Sequence, residues 1–123
     1  MIMAVKHKIL LVEDTESILK LTKFRLETMG FDVFTALDGA SAVEAVRSDR
    51  PDLILLDHGL PDMDGFEVAR TIKADNELKP IPIIMFTASQ ENLKNIESSG
   101  IQAGLLKPYE PEELLSKIRE CLG

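Results

Sequence analysis

Five short apolar runs, each followed by a stretch with helical spacing, constrain this chain more than any other feature. Lys8–Val12, Phe31–Ala36, Leu53–Leu56, Ile81–Thr87 and Ala103–Leu106 recur at intervals of roughly 20–30 residues. The third run, Leu53-Ile-Leu-Leu56, has no polar alternation, which suits a strand buried on both faces. Between the runs, Ala42, Val43 and Val46 mark the inward side of a second helix, and Phe66, Ala69 and Ile72 that of a third. Leu114, Leu115, Ile118 and Leu122 do the same for a last helix with Pro111 in its first turn. Leu93 and Ile96 are the only large apolar residues of a short, polar fourth helix over about 91–98, closed by Gly100. For the first helix, Ile18, Leu21, Leu26 and Met29 are expected to face inward, with Leu19 and Phe24 pointing elsewhere; Thr15 or Asp14 caps its start and Gly30 ends it. Such βαβ units close right-handed, so helices cover both faces of a parallel sheet. The predicted fold is a doubly wound α/β domain with five strands in the order 2-1-3-4-5, over residues 8–123, behind a tail of residues 1–7.

With 123 residues the chain is one domain with room for a real core. A net charge of −7 argues against unassisted binding to nucleic acid or to an anionic membrane. No run reaches membrane-spanning length, and the single cysteine, Cys121, precludes an internal disulfide; together these point to a cytoplasmic protein. Cys121 itself reads as a small packing residue rather than a redox site.

The proposed strand order gathers a specific set of side chains at one rim. Glu13 and Asp14 follow the first strand, Asp57 ends the third, Thr87 the fourth, and Lys107 follows the fifth. Three carboxylates about 4 Å apart repel by on the order of 4 kcal/mol per pair at an effective dielectric near 20. Either some are protonated or a cation neutralises them, and hard oxygen ligands suit Mg²⁺ or Mn²⁺ better than Zn²⁺. Each residue alone has a blander reading: Asp57 and Glu13-Asp14 as caps, Thr87 as a strand residue, Lys107 as a solvated charge. Their joint occurrence at successive strand ends outweighs those readings. Asp62 and Asp64, by contrast, read as turn and N-cap residues, and His58 and His7 as solvated.

Glu13-Asp14, Asp57 with Pro61 and Asp64-Gly65 after it, Thr87-Ala88 and Lys107-Pro108 resemble the response-regulator receiver domain of two-component systems over about residues 7–122. The resemblance implies a flavodoxin-like (βα)5 fold in which Asp57 accepts a phosphoryl group from a phosphohistidine on a sensor histidine kinase or histidine phosphotransfer protein. It also implies that Asp14, Asp57 and the backbone carbonyl of Gly59 hold Mg²⁺, with Glu13 acting through a water. Thr87 would donate to a phosphoryl oxygen, and Lys107 would pair with Asp57 at rest. The protein would then be a signalling phosphoacceptor rather than an enzyme, a monomer or weak dimer passing its signal to an unknown output protein. A chain stopping at Gly123 has no effector segment, so a stand-alone receiver is the simplest expectation, an excised one the other.

Two departures from the family pattern stand out. Receivers usually carry Tyr or Phe three residues before the lysine, where this chain has Gly104; its one tyrosine, Tyr109, follows the lysine and is expected to pack. The span from Thr87 to Lys107 is also about two residues short, so the fourth helix is expected to be short or displaced. Both departures fall on the face where receivers usually signal, which predicts readout through the loop after the fourth strand or at the rim itself. Two alternative functions compete. A pseudo-receiver would lack an acid or the lysine, and neither is missing. A Mg²⁺-dependent aspartyl-phosphate phosphatase would want a second acid two residues after Asp57, where Gly59 stands. Small residues flanking the site, Gly59 and Ser89, predict easy water access and a short phosphoryl lifetime.

Overall fold

A computed structural model describes residues 6–123; the first five residues of the expected tail lie outside the described residues. The elements follow in strict alternation. They are β1 (Lys8–Val12), α1 (Glu16–Thr28), β2 (Asp32–Ala36), α2 (Gly39–Asp49), β3 (Leu53–Asp57), α3 (Gly65–Lys73), β4 (Ile83–Thr87), α4 (Gln90–Ile96), β5 (Ala103–Leu106) and α5 (Pro111–Leu122). A 3₁₀ turn over Glu97–Ser99 extends α4. All strand pairings are parallel and the sheet order is β2-β1-β3-β4-β5, as the sequence predicts.

Alternating side chains of each strand feed two cores, which is why the strands read as unbroken apolar runs. Leu10, Val12, Ile54, Leu56, Ile83 and Met85 pack under α2, α3 and α4. Ile9, Leu11, Leu53, Leu55, Ile84 and Phe86 pack under α1 and α5. Leu53 to Leu56 are wholly buried; at about 1.5–3 kcal/mol for each side chain, before entropy, they anchor the centre of the sheet. Pro82 lies just before β4, where its missing N–H costs no ladder bond, and its carbonyl accepts from Ile54 N–H at 3.0 Å.

The expected inward face of α1 is right at Leu26, which is buried, and at Met29, which packs on the core, but wrong at Ile18, Leu21 and Leu19. Leu19, Thr22 and Leu26 are the buried residues, while Ile18 and Leu21 are 47% and 51% exposed. Thr22 interrupts the true inward stripe with a hydroxyl, and the second apolar stripe, Ile18–Leu21, lines an outer groove instead. Phe24 is exposed, as expected. In α3, Val68 joins Ala69 and Ile72 in the core and Phe66 is only half-buried. In α5, Leu114 and Ile118 are buried, with Leu115 and Leu122 half-buried. Helix ends follow local chemistry. Asp38 accepts from Ser41 N–H and Asp64 from Glu67 N–H, and Glu110 and Glu113 form a reciprocal capping box ahead of Pro111.

Candidate functional site

Parallel register brings the ends of β1, β3, β4 and β5 to one edge. Val12 pairs with Leu56, Asp57 with Phe86 and Thr87 with Leu106, so Glu13, Asp57, Thr87 and Lys107 come level. Glu13 is tied to β2 by its N–H to Ala36 O at 3.1 Å, and Lys107 to β4 by its N–H to Thr87 O at 2.8 Å. Asp57 is fully inside the sheet edge at 6% exposure, Glu13 is buried, and Asp14 is exposed at the mouth.

Lys107 Nζ donates to Asp57 Oδ1 at 2.9 Å and lies 3.7 Å from Glu13 Oε2. Carboxylate oxygens of Glu13, Asp14 and Asp57 all lie within 4.8 Å of one another. One ammonium therefore serves two buried acids, with a third acid beside them. Burial, then the charge of Asp57, holds the Glu13 carboxyl above its ordinary value, and Lys107 only partly offsets this. For Lys107, burial alone would lower the ammonium, but the Asp57 hydrogen bond and the charges of Asp57 and Glu13 outweigh it and raise it. The donor set is all oxygen, two of the three acids are buried, and one cation is too few for them; these residues fit a hard divalent ion such as Mg²⁺.

Thr87 is 2% exposed, and its Oγ1 accepts from Ser89 N–H at 3.1 Å, which leaves its own O–H to donate. Gly59, exposed on the loop after Asp57, brings no side chain. That loop is closed by Gly65 N–H to His58 O at 2.8 Å. A Cβ at Gly65 would come within 3.0 Å of Asp57 O and His58 Cα, both backbone, so only glycine lets α3 start this close to the acid.

Other residues have jobs the sequence did not disclose. Asp62 reaches across to the start of α2, where its carboxylate accepts from Gly39 N–H at 2.7 Å and Ala40 N–H at 2.9 Å. Those two bonds hold its carboxyl below the ordinary value. The expectation that Asp62 is structural is right in kind, but its target is a helix 22 residues away in sequence. His58 is not simply solvated: its ring is half-buried, edge-on to Phe66 at 5.4 Å and beside Asn92. His7 is exposed. Tyr109 stacks on Phe86 at 5.0 Å, the packing role expected of it, and burial raises its phenol with Thr22 offsetting this in part. Cys121 is half-buried against the α1–α5 core, and burial raises its thiol above the ordinary value, which disfavours the thiolate. Beside the rim, Ile18, Leu21, Pro108 and Tyr109 line a groove of about 500 Å³ together with Lys107 and Glu13.

A sequence model of the response regulator receiver domain matches residues 9–119. The chain is 37% identical over 119 residues to the alkaline phosphatase synthesis transcriptional regulatory protein PhoP of Bacillus subtilis, covering 94% of this chain and 48% of that protein. It is equally similar to the DNA-binding response regulator MtrA of Mycobacterium tuberculosis, over 95% of this chain and 51% of the other. The chain thus spans about half the length of the curated relatives it matches. Among solved structures, the chemotaxis response regulator CheY4 of Vibrio cholerae superposes with a TM-score of 0.89 at 32% identity, covering 96% of this chain and all of that one. The receiver domain of sensor histidine kinase PA1611 of Pseudomonas aeruginosa, with magnesium coordinated in its active site cleft, gives 0.89 at 32% identity, covering 97% and 99%. Among the described residues no helix is long and apolar enough to cross a membrane.

Proposed function

The chain belongs to the response regulator receiver domain family, and from that membership we propose that Asp57 is its phosphoacceptor. An Asp57 carboxylate oxygen attacks the phosphorus of a phosphohistidine on a sensor histidine kinase or histidine phosphotransfer protein. The P–N bond breaks, the imidazole keeps the electron pair and takes a proton, and an acyl phosphate remains on Asp57. Water attack on that phosphorus later returns the carboxylate and inorganic phosphate. Lys107 holds Asp57 in place at rest and pairs with a phosphoryl oxygen afterward, a role suited to a compact ammonium. Thr87 donates its O–H to a second phosphoryl oxygen. Asp14, Asp57 and the Gly59 carbonyl would hold Mg²⁺, Glu13 would contribute through a water, and the ion would supply charge neutralisation for the transferred group.

The single observation that supports this reading most is the Lys107–Asp57 bond at 2.9 Å beside two further carboxylates. It presents a nucleophile already aligned with the cation that its product needs. The groove at Ile18, Leu21 and Pro108 is also lined by Lys107 and Glu13 of the site and gives the donor protein an apolar seat. In this reading the protein is a cytoplasmic signalling phosphoacceptor, not an enzyme with turnover. It works as a monomer or weak dimer and hands its signal to another protein without itself touching nucleic acid or membrane. The experiment is to mix the protein with Mg²⁺ and a small phosphodonor and follow its mass. A receiver gains one labile phosphoryl group, a pseudo-receiver gains none, and an aspartyl-phosphate phosphatase turns over many.

A further inference from the structure

The loop between Asp57 and α3 carries Gly59, yet its middle has few backbone ties. At its base, His58 N–H donates to Phe86 O at 2.9 Å and Gly65 N–H to His58 O at 2.8 Å. Among the described residues, no backbone hydrogen bond ties residues 59–63 to another backbone group. Side chains hold this part instead. Leu60 and Met63 are half-buried against the core under α2 and α3, and Met63 fills the space beside Gly39. Apolar contacts of this kind have no preferred direction. The directional tie is Asp62, whose two oxygens accept separately from Gly39 N–H at 2.7 Å and Ala40 N–H at 2.9 Å. Both bonds are charge-assisted, and the two together fix orientation as well as distance.

These bonds exceed what α2 needs for a cap. Asp38 already supplies one, its side chain accepting from Ser41 N–H at 2.8 Å. The start of α2 is itself fixed to the acidic loop after β1, because Ala36 O accepts from Glu13 N–H at 3.1 Å. A strap therefore runs from the Glu13 backbone through Ala36 and Gly39 to Asp62, and so to the loop of Gly59. The link from Asp62 back to Gly59 is stiff. Only Leu60 and Pro61 separate them; the proline ring fixes its own φ and confines the residue before it to extended backbone. A shift at Asp62 is thus passed on to Gly59 rather than absorbed on the way. Gly59 is exposed and, lacking a Cβ, has the least restricted backbone of the loop, so the direction of its carbonyl depends on that restraint.

We propose that Asp62 is a positioning residue of the metal site: by holding the loop after β3 to the start of α2, it sets where the Gly59 carbonyl stands relative to Glu13, Asp14 and Asp57. The inference rests on the reading in which that carbonyl helps to hold Mg²⁺, and deepens it. Asp62 acts through Gly59 and is not itself a ligand. Mg²⁺ demands near-octahedral geometry, so a ligand carried on a loosened loop binds it less well. Groups that orient a metal ligand commonly account for about 10-fold or more of the affinity. A negative charge at residue 62 would also favour a cation without any hydrogen bond, and the two causes separate by substitution.

The test is the Mg²⁺ dissociation constant of the full chain, read from the rise of Tm with MgCl₂ concentration. Phosphoryl uptake from a small donor is followed in parallel by intact mass. Asp62 is exposed, so its replacement leaves the core intact. Asp62→Ala should weaken Mg²⁺ by about 10-fold, and the Mg²⁺ concentration that gives half-maximal phosphoryl uptake should rise with it. Asp62→Asn keeps one acceptor but not the charge, and should return to within about 3-fold of the parent. Asp38→Ala removes an acid and a cap from the same helix without touching the loop, and should stay within about 2-fold of the parent. Equal Mg²⁺ constants in Asp62→Ala and Asp38→Ala would overturn the proposal and leave Asp62 a helix cap. Asp62→Asn as weak as Asp62→Ala would overturn it too, leaving only a charge acting through space. A parent protein that gains no phosphoryl group would instead sink the phosphoacceptor reading, and the proposal with it.

Discussion

Replacing Lys107 by Met removes the one charge that, among the described residues, pairs with two buried acids, while keeping most of the side-chain volume. At 2.9 Å from Asp57 and 3.7 Å from Glu13, Coulomb's law at an effective dielectric near 20 gives about 6 and about 4 kcal/mol of gross attraction. Desolvation of the ammonium offsets several kcal/mol of that, and Lys107 is 32% exposed, so water screens much of the rest. A net loss of about 2 kcal/mol at pH 7 remains, or roughly 8 °C in Tm for a domain of this size. The pH dependence distinguishes this cause from lost packing. Glu13 already sits above its ordinary value and rises further without the lysine. A carboxyl with a raised folded value binds protons more tightly folded than unfolded, so stability recovers as pH falls through that value. The deficit of Lys107→Met should therefore shrink between pH 7 and pH 5 in urea titrations. Millimolar Mg²⁺ should stabilise the variant more than the parent, because the ion supplies the missing charge. An equal deficit at both pH values, with no extra gain from Mg²⁺, would refute the electrostatic account and leave only packing.

Three further outcomes follow from the same geometry. Asp62→Ala removes both caps from the start of α2 and should lower Tm at pH 7. Because the folded carboxyl is held below its ordinary value, that difference is full above about pH 4 and fades as pH falls through the depressed folded value, checked by thermal unfolding across the acid range. Leu19→Ala should cost about 2–3 kcal/mol in urea unfolding and Ile18→Ala under about 1, the reverse of what the apolar pattern of α1 indicates. The phosphorylated protein, with the small residues Gly59 and Ser89 on the loops that follow β3 and β4, should lose its label well within hours, measured as phosphate release after donor removal; a label that persists for many hours contradicts open water access.

Fold and rim were legible because both rest on local signals. A strand buried on two faces must be apolar without alternation, and Leu53 to Leu56 say so directly; an acid placed just after such a run can only lie at the sheet edge. Parallel topology then does the assembly, bringing Glu13, Asp57, Thr87 and Lys107 together from four distant segments. What was not legible depends on neighbours that no local pattern names. The inward side of α1 is hidden because Thr22 lies in the buried stripe beside Tyr109 while Ile18 and Leu21 serve a groove. Asp62 looks like an ordinary turn residue until the start of α2 is seen beside it. Gly104 reads as a missing aromatic, and only the positions of Leu93 and Ile96 show that their side-chain ends fill the space beside it.

The central claim is that one particular carboxylate takes the phosphoryl group. Borohydride reduces an acyl phosphate of aspartate to homoserine but leaves a phosphohistidine or a phosphate ester unconverted. The protein, loaded from a small phosphodonor with Mg²⁺ and then reduced, should yield homoserine at residue 57 on peptide mass mapping, and Asp57→Asn should yield none. Homoserine at Asp14 or Asp62, or a phosphoryl group retained on His58, would contradict the account.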